Sequence, residues 1–86
     1  MRATAAMIIF FPMSQMINVV IEKDKDGFYA YCPALPGCQT QGDTFEEVMA
    51  NIKEAAELYI GTMSPEEKLQ LTTKQILTAA LEVSLA

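Results

Sequence analysis

Ile17-Asn18-Val19-Val20-Ile21-Glu22-Lys23-Asp24-Lys25-Asp26-Gly27-Phe28-Tyr29-Ala30-Tyr31-Cys32 holds two alternating runs around a polar centre. Ile17, Val19 and Ile21 alternate with Asn18, Val20 and Glu22, the period of a strand. Asp24-Lys25-Asp26-Gly27 supplies turn chemistry, because glycine tolerates positive φ and aspartate accepts hydrogen bonds from nearby amides. Phe28 to Cys32 alternates again, so the stretch predicts a β-hairpin. With a two-residue loop, either Lys25-Asp26 or Asp26-Gly27, odd residues of the first strand face even residues of the second. One face then carries Ile17, Val19, Ile21, Phe28, Ala30 and Cys32, and is the expected core face. The other carries Asn18, Val20, Glu22, Tyr29 and Tyr31. A three-residue loop would exchange the two faces, since a one-residue slip turns every side chain over.

Downstream, Pro33-Ala34-Leu35-Pro36-Gly37 breaks the strand with two prolines and a glycine and reads as a loop of fixed shape. Cys38 to Gln41 predicts a short third strand, closed by Gly42-Asp43. Thr44-Phe45-Glu46-Glu47 has the spacing of a capping box, with Thr44 accepting from the amide of Glu47 and Glu47 reaching back to Thr44. Phe45, Val48, Met49, Ile52, Ala56, Tyr59 and Ile60 then recur with helical spacing, which predicts an amphipathic helix of about four turns. Its polar side carries Glu46, Glu47, Asn51, Lys53, Glu54 and Glu57, and Gly61 suits the position just past its end. Ser64-Pro65-Glu66-Glu67 predicts a second helix start, with Ser64 as N-cap and Pro65 in the first turn. After Leu71 the pattern divides: Ile76, Leu77, Ala80 and Leu81 suit a helix, whereas Leu81, Val83 and Leu85 alternate as a strand would. The reading adopted is a short helix followed by a final strand from about Leu81. No internal repeat or low-complexity tract interrupts the chain.

Upstream, Ala5 to Phe11 is an apolar run behind Arg2. It is too short to cross a bilayer, and Pro12-Met13-Ser14-Gln15-Met16 is a poor cleavage site for a signal peptide. Residues 1–15 therefore read as an apolar extension or an extra strand, and 16–86 as one domain. At 86 residues the chain buries only roughly 60–65% of its unfolded surface, so self-association or a partner would help stability. Met7, Ile8, Ile9, Phe10 and Phe11, with Val20 on the second sheet face, are the expected oligomer interface, in a dimer or tetramer. A net charge of −5 opposes nucleic-acid backbones and anionic membranes and suits a basic partner. Two cysteines, Cys32 and Cys38, cannot build a disulfide framework, so reduced thiols and a cytoplasmic location are expected.

Several pieces together carry a family resemblance: the Asp26-Gly27 hairpin within Glu22 to Pro33, Leu35-Pro36-Gly37-Cys38, Thr40-Gln41-Gly42-Asp43-Thr44 and Asn51-Ile52-Lys53-Glu54-Ala55. From Met16 to about Ile60 the chain resembles the HicB family of antitoxins and HicB-like proteins. The resemblance implies an α+β fold of β-β-β-α-β order, a small antiparallel sheet with one main packed helix, similar to a reduced RNase H fold. It also implies that the chain binds and inhibits a HicA-like toxin, a small basic ribonuclease that cleaves mRNA, and forms homo-oligomers. Typical antitoxin members add a C-terminal DNA-binding segment. Only about twenty-five residues follow Gly61 here, acidic on balance, so direct DNA binding is not carried over. The rival reading is a stand-alone HicB-like oligomer, structural or ligand-binding, with no toxin partner.

No catalytic residue, metal site or cofactor is expected. Glu22, Asp24 and Asp26 invite comparison with a two-metal nuclease site, but such chemistry needs carboxylates converging from different elements. Three acids of one hairpin are better read as a solvated turn. Cys32 and Cys38 lack a histidine to activate them, and two thiols fall short of the four ligands of structural zinc, so they read as small buried hydrophobes. Leu35-Pro36-Gly37 reads equally well as a recognition loop or a rigid connection. Glu22, Asp24, Asp26, Tyr29 and Tyr31 are the expected partner-facing residues, because tyrosine is enriched in protein-binding patches and the one long helix cannot cover both sheet faces.

Overall fold

A computed structural model describes residues 14–86. The expectations for the apolar run up to Phe11 and for an extra N-terminal strand lie outside these residues.

Three strands, β1 (Val20–Asp24), β2 (Gly27–Tyr31) and β3 (Gln39–Gly42), form an antiparallel sheet in the order β1-β2-β3. Two helices follow, α1 (Phe45–Gly61) and α2 (Pro65–Thr73). Ile21 pairs with Ala30, Glu22 with Tyr29 and Asp24 with Gly27. The loop is therefore Lys25-Asp26, and the odd-with-even register holds. The turn closes on the Asp26 amide, which donates to Asp24 Oδ1 at 2.8 Å. Gly27 follows with φ +133°, a conformation that a side chain would strain.

The core is Ala30, Cys32, Leu35, Cys38, Val48 and Ile52, ringed by half-buried Ile17, Val19, Ile21, Phe28, Ala55, Ala56, Tyr59, Ile60, Met63 and Leu71. α1 packs across β2 and β3. That packing brings the backbone of α1 close to β3: a Cβ on Gly42 would sit 2.8 Å from the Val48 nitrogen. Glycine is required there by proximity rather than by φ. The helical stripe narrows toward its start, where Phe45 and Met49 stay partly exposed and Phe45 meets the Phe28 ring edge-on at 6.4 Å. The core-side alternation of β1 ends at Lys23, whose ammonium lies 5.6 Å from the Phe28 ring centroid.

Both helix starts are capped. Glu47 N–H donates to Thr44 Oγ1 at 3.0 Å, but the Glu47 carboxylate accepts from the amide of Asp43, one residue before the expected Thr44. Ser64 and Glu67 form the complete reciprocal box. Gly61 is not the left-handed stop the sequence suggested. It is the last helical residue, and Thr62 ends the helix by donating its amide and hydroxyl to Tyr59 O at 3.0 and 2.7 Å.

The final strand expected from Leu81 is not part of the sheet, and residues 74–86 form neither helix nor strand. The second helix stops at Thr73 because two consecutive threonines turn their hydroxyls back, Thr72 onto Leu69 O at 2.7 Å and Thr73 onto Gln70 O at 3.2 Å. Threonine is a weak helix former for this reason. Beyond it the alternating segment meets no partner strand among the described residues, and a lone strand cannot satisfy its own backbone.

Candidate protein-binding site

The alternation of β2 turns Ala30 into the core and leaves Tyr29 and Tyr31 half-buried on the opposite face. Val20 stands beside Tyr31 and Glu22 beside Tyr29 on β1, with Gln39 and Gln41 in the matching positions of β3. The two tyrosine rings lie 5.9 Å apart, tilted by 38°. Tyr29 donates its hydroxyl to Gln39 Oε1 at 2.8 Å, which fixes the ring across the strand. α1 occupies the other side of the sheet, so among the described residues no helix covers this face. Val20, expected at an oligomer contact, therefore shares this face with both tyrosines.

Glu22 and Asp24 continue the same face toward the hairpin tip, where Asp26 lies in the turn. All three are exposed. Lys25 pairs with Asp26 at 3.5 Å, but both side chains stand about four-fifths or more in solvent, where such pairs contribute little. An open groove runs from Asp26 and Phe28 past Gln41 and Gly42 to Asp43 and Glu47 at the start of α1. The acidic surface is thus wider than the hairpin. Asp43 and Glu47 were read from the sequence only as turn and cap, and Gln39 and Gln41 only as strand. The signal for the glutamines was Cys38 alternating with Thr40, which turns the intervening residues outward.

The Leu35 loop faces inward. Leu35 is fully buried, and three backbone hydrogen bonds close the turn: Cys32 N–H to Cys38 O at 3.1 Å, Leu35 N–H to Cys32 O at 3.0 Å and Cys38 N–H to Leu35 O at 2.9 Å. These bonds make the loop rigid, while Pro36 and Gly37 at its tip remain exposed. Cys32 and Cys38 are free and buried, as small hydrophobes of the core. Burial, then the neighbouring Cys38 charge and its hydrogen bond, push the Cys32 thiol up to about 11, away from the reactive thiolate. Among the described residues, no three His, Cys, Asp or Glu side chains gather as ligands for a metal ion. No helix there is long and apolar enough to cross a membrane.

Residues 17–83 match the family described as the HicB_like antitoxin of bacterial toxin-antitoxin systems. A UPF0150 protein of Helicobacter pylori is 45% identical over 71 residues, covering 83% of this chain and 99% of that protein. A UPF0150 protein of Synechocystis is 53% identical over 52 residues, 59% of this chain and 66% of that protein. One from Thermoplasma acidophilum is 54% identical over 47 residues, 54% of this chain and 68% of that protein. No solved structure matches significantly.

Proposed function

The chain belongs to the HicB-like antitoxin family, and from that premise we propose that it acts in the cytoplasm by binding and inhibiting a HicA-like ribonuclease toxin, without chemistry of its own. The observation that carries the proposal is the sheet face that no helix covers among the described residues. Tyr29 and Tyr31 lie side by side on it, Val20 and two glutamines flank them, and exposed Glu22, Asp24 and Asp26 stand at one end. Aromatic residues at the centre of a patch bury large area at low entropic cost, while charged residues at the rim speed encounter with a partner of opposite sign. The net charge of −5 has the sign that suits a basic nuclease. Self-association through Met7, Ile8, Ile9, Phe10 and Phe11 is a second part of the proposal, motivated by their apolarity.

The test is a titration of the chain into an RNA-cleavage assay with a co-encoded HicA-like ribonuclease. Stoichiometric loss of cleavage is expected. Cleavage unaffected by excess chain would leave the rival reading, a toxin-independent oligomeric module.

A further inference from the structure

Cys32 and Cys38 are nucleophilic groups that a purely binding role leaves unused. Cys32 directly follows β2, and Cys38 directly precedes β3. The register of these strands pairs Tyr31 with Gln39, so one step further it sets Cys32 opposite Cys38. Across that step Cys32 N–H donates to Cys38 O at 3.1 Å. Opposite residues of an antiparallel pair point to the same face, with Cα atoms roughly 4.5–5.5 Å apart. A disulfide spans Cα separations of about 4.4–6.8 Å, so the two positions fall inside its range. Both side chains lie in the same buried core cluster, and Cys38 is near enough to act on the Cys32 thiol.

Other cysteine chemistry lacks its parts. The chain has no histidine to serve as the base of a cysteine nucleophile. Among the described residues, no third ligand gathers with the thiols around a metal ion. Two facing thiols can still exchange with a disulfide, which needs only a thiolate and a path to it. Cys38 offers the path. It is 5% exposed against 2% for Cys32, and its neighbours Gly37 and Gln39 are exposed.

We propose that Cys32 and Cys38 form a reversible thiol–disulfide pair, oxidised by a low-molecular-weight disulfide of the glutathione class. The Cys38 thiolate attacks the S–S bond of the reagent, which forms a mixed disulfide and releases one reagent thiolate. That thiolate takes the Cys32 proton. The Cys32 thiolate then attacks the Cys38 sulfur, making the Cys32–Cys38 bond and expelling the second reagent thiolate, which takes up the proton lost from Cys38. The protein gives up two electrons and two protons, and the reagent leaves as two thiols. The new bond closes a ring around residues 33–37, the loop that seats Leu35 in the core. Leu35 is then held by a covalent ring as well as by backbone hydrogen bonds, and the oxidised chain is the more stable form.

The test equilibrates the full-length chain with oxidised and reduced glutathione, in buffer and in urea, and reads the intact mass after an acid quench. Equilibrium is approached both from the reduced chain and from chain oxidised in urea and refolded, so that slow access to buried thiols does not decide the outcome. In buffer the mass is expected to fall by two hydrogens, with Cys32 and Cys38 joined within one chain and dithiothreitol reversing the change. The ratio of disulfide to dithiol is expected to be at least about tenfold higher in the folded chain than in urea, because a bond that fits the fold is favoured by folding as much as it stabilises it. The urea midpoint of the oxidised chain rises accordingly. A folded chain that stops at the mixed disulfide, keeps both thiols free or links to a second chain would overturn the proposal. So would a ratio below that tenfold margin, since the native placement would then contribute nothing to the bond.

Discussion

Leu35 lies in a loop between two prolines, yet it is one of the largest fully buried side chains of the domain. The loop is folded inward by the three backbone hydrogen bonds between Cys32 and Cys38, so the leucine joins one core with Val48 and Ile52 of α1. Leu35→Ala is expected to lower unfolding free energy by about 2–5 kcal/mol, the usual range for such a cavity, measured as a lower urea midpoint. The prolines and glycine marked this stretch as rigid, but an apolar residue in a five-residue loop carries no period, so its burial was not legible. Cys32 offers a second check at this scale. Its thiol is held protonated in the folded state, to about 11, against an ordinary value of 9.0. The folded chain keeps a proton that the unfolded chain releases between those values, so stability is fully present below pH 9 and falls as pH rises toward 11. A urea midpoint that drops over that window is expected, and a Cys32→Ala variant should lose this part of the drop.

The hairpin and α1 were readable because both bury one face, and a one-sided element writes its period into the sequence. The Asp24-Lys25-Asp26-Gly27 turn fixed the parity of the register, and with it the assignment of Tyr29 and Tyr31 to the outer face. Acidic neighbours at Asp43 and Glu47 were not legible, because they come near Asp26 only when α1 docks beside the hairpin tip. The end of α2 was half legible: Ser64 announced its start, whereas its stop depends on the hydroxyls of Thr72 and Thr73 turning back onto their own helix. The terminal strand pattern was real as a pattern, but a strand exists only with a partner, and no partner is encoded within the segment. At this scale the hairpin tip makes a prediction of its own. Reversing charge with Asp24→Lys and Asp26→Lys should slow association with a basic toxin and reduce the dependence of the rate on salt, leaving dissociation nearly unchanged, because rim charges act on encounter. Stopped-flow association at two ionic strengths reads this directly.

At the scale of the molecule, the described residues form one sheet covered on one face and open on the other, with an apolar tail that leaves beside β1. A small domain with so thin a core leaves surface to be covered by other chains. The tyrosine face is the surface proposed here for a basic nuclease. The central claim concerns the tyrosine face. Its most direct measurement is the RNA-cleavage titration with the co-encoded HicA-like ribonuclease, run in parallel with the wild-type chain and with a Tyr29→Ala, Tyr31→Ala double variant whose fold is verified by its amide spectrum. Stoichiometric inhibition by the wild-type chain, and at least tenfold weaker inhibition by the folded double variant, about 1.4 kcal/mol or more, is the expected result. Equal inhibition by the two proteins would contradict the assignment of this face.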